Sequence, residues 1–155
     1  MIGGVYEDIS RDVRLAASAP AVWEALLDFQ RVASWLPIVH QLREVEPLRR
    51  YATVLEDRVG PFSLRADLTV DLDIDAAARR LHVAASGEDR QVASRISATL
   101  DVTVADDGDG ALLGARGRYD ITGRIATLGA SAIRKKGEKV LDDFFANATR
   151  DLATA

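Results

Sequence analysis

A chain without cysteine does acid–base or nucleophilic chemistry through histidine, carboxylate, hydroxyl and amine side chains, and here these are scattered. The histidines are His40 and His82 alone. His82 stands between Leu81 and Val83 in an alternating run, so it is expected to point to solvent. The direction of His40, just after Leu36-Pro37, is open. Neither shows a partner in the sequence, so a polar rim position outweighs a general base. Two histidines and no thiolate make a poor zinc set, so no metal is expected. No glycine-rich phosphate loop is present, and Gly108-Asp109-Gly110 reads as a hairpin tip. Thr53, Asp57, Ser94 and Tyr119 fall on apolar faces. Asp57 lies close to a turn and reads as a hydrated rim acid; Ser94, near a strand start, reads as a backbone partner. Tyr119 follows the small residues Ala115 and Gly117, which suits either core packing or a cavity with one hydrogen-bonding end. No catalytic residue and no cofactor follows from this set.

The elements that must position these residues change period along the chain. Ile9 to Ala16 places Ile9, Val13 and Leu15 on one face of a first strand. Ser18-Ala19-Pro20 opens a helix carrying Val22, Trp23, Leu26 and Leu27, and a second short helix, Phe29 to Trp35, ends at Leu36-Pro37. The two are expected to pack as a V. From about Val39 to Thr122 the period is two. Phe62, Leu64, Ala66, Leu68, Val70, Leu72 and Ile74 alternate with polar residues, giving one dry and one wet face. The dry face continues through Leu81, Val83 and Ala85, then Ile96, Leu100, Val102 and Val104, then Leu113, Ala115, Gly117, Tyr119 and Ile121. Val59-Gly60-Pro61-Phe62 matches a type II′ turn and turns Tyr51, Thr53, Leu55 and Asp57 inward. Asp67, Asp71, Asp73 and Asp75 are expected to balance arginines such as Arg65 and Arg95 on the wet face.

The stretch from about Gly123 to Leu152 reads as one long helix, with Ile133, Val140, Leu141, Phe144 and Ala148 on one stripe. Gly137 interrupts that stripe. A glycine there either makes room for a ligand or lets helix and sheet backbones approach. The order is strand, two helices, about six strands, long helix: an α+β helix-grip, a curved antiparallel sheet of six to seven strands with a C-terminal helix across its concave face.

With 155 residues the chain suits a single domain, residues 1–155, with its own core. The net charge of −4 argues against a nucleic-acid binder. Neither a basic, apolar leader nor an apolar run long enough to span a bilayer is visible, so a cytoplasmic protein is expected. Lys135, Lys136 and Lys139 are the only lysines and stand beside Arg134, a segment that is either a solvated helix face or a docking surface for an acidic partner or anionic membrane.

Several segments in this order resemble one family: Ala19-Pro20-Ala21-Val22-Trp23, Leu36-Pro37, Val59-Gly60-Pro61-Phe62, Gly123-Arg124-Ile125-Ala126-Thr127-Leu128-Gly129 and Phe144-Phe145. Together they resemble the carbon monoxide dehydrogenase G-subunit-like family of the START/Bet v 1-like (SRPBCC) superfamily. The chain departs from it at Ile38, where the family usually has glycine. The resemblance implies an apolar cavity between sheet and helix. It further implies an accessory role beside a molybdenum hydroxylase, in assembly or in coupling to membrane electron carriers.

The leading expectation is therefore a carrier of an apolar, lipid- or quinone-like small molecule. Its expected lining is Tyr51, Leu55, Asp57, Leu64, Leu68, Ser94, Ile96, Ala98, Ala115, Gly117, Tyr119, Ile133, Gly137, Leu141 and Phe144. Docking to a redox enzyme or membrane surface would use Arg134, Lys135, Lys136 and Lys139. Two alternatives stand beside it: a polyketide cyclase or dehydratase-like enzyme using the same cavity, and an interaction module acting through the basic helix.

Overall fold

The computed structural model of the chain describes residues 4–153. Strand β1 (Val5–Leu15) is followed by α1 (Ala19–Leu26) and α2 (Phe29–Ala33). A meander of β2 (Val39–Glu46), β3 (Arg50–Val59), β4 (Phe62–Asp75), β5 (Arg80–Asp89), β6 (Ser94–Asp107) and β7 (Gly110–Gly123) comes next. A 3-10 turn (Ile125–Leu128) leads into α3 (Ala130–Leu152). The strands form one seven-stranded antiparallel sheet in the order β1-β7-β6-β5-β4-β3-β2.

Local chemistry sets the boundaries. The Ser18 side-chain oxygen accepts from the Ala21 N–H at the start of α1, and Asp28 does the same for Arg31 in α2. Gly60 takes φ +58 and Val59 pairs with Phe62, as the Gly-Pro turn demands. Alternation then carries the inner rows across the sheet as expected, and β1 extends its own row back to Val5 and Glu7.

The long terminal helix begins later than its period suggests. Gly123 and Gly129 adopt φ of +93 and +91, which L side chains rarely take, so the chain breaks twice before α3. The 23 helical residues then span roughly 35 Å. The intervening turn is tied down by Ser94, whose hydroxyl donates to the Val92 carbonyl and accepts from the buried Ile125 N–H at 3.0 Å.

Packing separates into two cores. The first joins Leu15, α1 residues such as Val22 and Leu26, Trp35, Leu81, Val102, Val104 and Leu113 to Phe145, Ala148 and Leu152 of α3. The second, at the other end of the sheet, joins Leu64, Ala66 and Leu68 to Ile125 and Ile133. On α3 the fully packed aromatic is Phe145, while Val140, Leu141 and Phe144 are half-buried.

Candidate functional site

Between the two cores lies a band of the concave face that neither buries fully, with Leu72, Val83 and Leu100 packed against the first core and Tyr119 against the second. One cross-strand row runs Tyr51, Val70, Ala85, Ala98, Tyr119 and Glu7. Its central members are small and, although they point inward, half-buried. The neighbouring row, Leu72, Val83, Leu100 and Gly117, is half-buried as well. Inward apolar side chains that keep some exposure under a helix are packed less tightly than those of either core, since close packing would remove them from water.

The expected lining divides on this geometry. Leu64, Leu68 and Ile133 are buried in the second core and Ala115 in the first, so packing, not a groove, accounts for these four. Leu55, Ile96 and Tyr119 flank the second core, and Leu141 and Phe144 flank the first. Ala98, Gly117 and Gly137 lie in the band between. Tyr51 is buried against Phe29, ring centroids 4.9 Å apart, and its hydroxyl accepts from the Leu48 N–H. Ser94 is buried and engaged with backbone, as its position suggested.

Three residues are explained differently from expectation. Gly137 neither opens a hollow of its own nor lets two backbones touch. A Cβ there would overlap the Tyr119 hydroxyl and lie 2.9 Å from its Cζ, so the glycine makes room for the phenol. Tyr119 crosses this gap and donates to the Ile133 carbonyl at 3.3 Å. Burial, then the nearby Glu7 and Glu138 carboxylates, push its pKa above the usual 10 and keep the phenol protonated. Gly117 has no side chain because the neighbouring strand leaves no room: a Cβ would meet the Thr99 carbonyl and lie 2.9 Å from the Leu100 Cα.

Asp57 sits near the β3–β4 turn but is not simply hydrated. Its Oδ1 accepts from its neighbour Arg58 N–H at 2.8 Å and meets the Lys136 ammonium at 3.0 Å. The basic segment of α3 is mostly neutralised within the protein: Arg134 pairs with Glu7, Lys136 with Asp57 and Lys139 with Asp143. Arg11 on β1 pairs in turn with Asp142. That leaves Lys135 as the one member without an ion pair among the described residues, which removes most of the charge a docking surface would present.

Neither histidine enters the band. His40 is exposed on β2, where its backbone carbonyl accepts from the Thr53 hydroxyl at 2.6 Å. His82 faces solvent as expected and meets Asp101 at 3.1 Å, a contact that lowers the pKa of Asp101 below the usual carboxylate range. On the same wet face the charge balance uses other mates than the alternation suggested: Asp71 pairs with Arg50, and Arg65 with Glu56. Among the described residues no three His, Asp or Glu side chains converge as metal ligands.

A second constellation escapes sequence reasoning. Asp151, near the end of α3, accepts from the Arg31 Nε at 2.7 Å and from the Trp35 indole N–H at 2.8 Å. These bonds, Arg31 first, hold its carboxyl below the ordinary range. They flank a shallow polar cleft of about 430 Å³ outside the apolar band. More than a hundred residues separate the partners in the chain, and no spacing rule links them.

Such a molecule, with an antiparallel sheet curved round a long C-terminal helix and short helices closing one end, is a helix-grip protein of the START/Bet v 1-like class. The CoxG family, named for the G subunit of carbon monoxide dehydrogenase, matches residues 12–153, and the chain belongs to that family. Solved structures share the fold at low identity. A conserved protein of Geobacillus kaustophilus is 15% identical with a TM-score of 0.84, each chain covered to 96%. A START superfamily protein of Mycobacterium smegmatis is 13% identical with a TM-score of 0.71, covering 95% of this chain and 97% of its own. Norcoclaurine synthase of Thalictrum flavum, in complex with dopamine and hydroxybenzaldehyde, is 14% identical with a TM-score of 0.60, covering 96% and 88%. No curated protein matches the sequence. No helix among the described residues is long and apolar enough to cross a membrane.

Proposed function

We propose that this protein binds and carries an apolar small molecule in the groove between the concave face of the sheet and α3. The observation that carries the reading is the half-buried run Val70, Ala85 and Ala98, inward-facing yet outside both packed cores, with Tyr119 of the same row packed against the second core at its end. The row offers apolar surface and little directional polarity, which favours a lipid- or quinone-like body over a sugar or nucleotide. Membership of the CoxG family supports an accessory role beside a molybdenum hydroxylase. In this reading the carried molecule is the link between that enzyme and a membrane electron carrier. Carriage is favoured over catalysis because each titratable group beside the row already has a partner: Tyr119 a backbone carbonyl, Glu7 the Arg134 guanidinium and Asp57 the Lys136 ammonium.

Native mass spectrometry of protein purified without detergent tests this. A retained apolar ligand appears as a discrete mass adduct that organic extraction removes. Protein of unmodified mass that also fails to take up an added neutral naphthylamine dye would overturn the reading.

A further inference from the structure

Granted a ligand in that groove, we infer that its doorway is the gap between β3 and α3, and that the Asp57–Lys136 ion pair is the latch across it. The other sides are closed. The sheet is the floor. On the β1 side α3 is held by the Arg134–Glu7 and Arg11–Asp142 pairs. At one end Trp35 packs edge-on against Phe144, with centroids 5.7 Å apart, and its carbonyl accepts from the Asn147 amide. At the other end the 3-10 turn seals the sheet, with Leu128 lying over Gly60 and Ile125 in the second core.

The β3 side is different. Leu55 on β3 and Val140 on α3 are both half-buried, and α3 runs nearer to β1 than to β3, so this seam is the looser of the two. The polar link across it is the 3.0 Å contact between Lys136 and Asp57. From Lys136 to Phe144 the helix runs about 12 Å, and from Asp57 back to Tyr51 the strand runs about 20 Å. Between edges of that length a ring or an acyl chain passes once the latch parts.

The pair suits a latch better than a permanent strut. Its side chains are 30% and 16% exposed, against 67% and 43% for Lys139 and Asp143 on the outer helix face, so it is shielded from solvent but not sealed. The Arg58 N–H helps to orient the carboxylate. Lys136 reaches it on a flexible four-carbon stem, which can swing outward without moving the helix. One such pair holds a seam closed only marginally, which is what passage of a ligand requires.

Stopped-flow uptake and release of the neutral dye N-phenyl-1-naphthylamine tests the latch. Lys136→Met and Asp57→Asn should each speed association and release by roughly three- to five-fold. The equilibrium affinity should stay nearly unchanged, because the latch closes over both free and loaded groove. Lys139→Met should behave as wild type. The chain has no cysteine, so Asp57→Cys with Lys136→Cys, bridged by a short bis-maleimide, should slow both steps. Uptake by the Lys136→Met protein but not by wild type also supports the latch. Bound dye with unchanged rates in both single variants overturns the latch and leaves the groove standing. A change in release rate alone, with weaker affinity, also overturns it and makes Lys136 a ligand contact. Failure of every form to take up dye overturns groove and latch together.

Discussion

Gly137 shows how a single residue can be noticed in a sequence and still be misread. Its place on the apolar stripe marks it as unusual, but the reason is Tyr119, eighteen positions earlier on another element. A one-dimensional pattern gives no sign that a phenol crosses the helix there. Gly137→Ala gains up to about 1 kcal/mol of helix propensity. The displaced tyrosine costs about 1–3 kcal/mol, because its ring must leave a packed position and give up the bond to the Ile133 carbonyl. Thermal melting should therefore show a lower midpoint for Gly137→Ala. Adding Tyr119→Phe, which removes the overlapping oxygen, should recover part of the loss in a double-mutant cycle. Asp151 gives a prediction in pH. Its folded pKa is depressed by Arg31 and Trp35, so the stability it contributes is present above the ordinary value near 3.8 and is lost as pH falls below it. Melting midpoints followed from pH 5 down to pH 2 should fall less steeply for Asp151→Asn than for wild type, the two curves converging at the acid end.

The strands were the most legible elements, because the alternation from Phe62 to Ile74 and the Gly60-Pro61 turn each rest on geometry the residues themselves impose. The start of the terminal helix was less legible. Glycine is tolerated inside a helix, so hydropathy periodicity ran through Gly129, and the left-handed φ that ends the run is set by how the 3-10 turn docks. That docking depends on Ser94. Ser94→Ala removes the acceptor for the buried Ile125 N–H, and an unpaired buried donor costs about 1–3 kcal/mol. The expected outcome is a lower urea midpoint together with faster amide exchange in the 125–128 turn. Ser94→Thr keeps the hydroxyl and should lose less. The basic character of α3 was equally plain in the sequence. Its neutralisation was not, because Glu7 and Asp57 come from strands at opposite sides of the sheet.

At the scale of the whole molecule, helix-grip architecture was legible from element order alone, since few arrangements bury one face of a seven-stranded sheet and one stripe of a helix together. The division of the interior into two cores was not, because it depends on which inward side chains meet and not on which point inward. That division makes Ala98 the informative site. Ala98→Leu should fill the band, raise the melting temperature of ligand-free protein through roughly 1.5–3 kcal/mol of added burial if it fits, and abolish dye uptake. The sheet order has another consequence, for the sequence of events in folding. Strand β1 comes before the other strands in the sequence, yet its single strand neighbour is β7, with Val5 opposite Ile121, so more than a hundred residues separate the partners that must meet. The β2–β7 meander can grow from adjacent hairpins with little loop-closure cost, whereas β1 must await the far end of the chain. Contacts of β1 with α3 then form late. Arg11→Met, which removes the pair with Asp142, should accelerate unfolding while leaving the refolding rate almost unchanged in stopped-flow measurements. Of the seven strands, the earliest in the sequence is therefore expected to be the last to join the sheet.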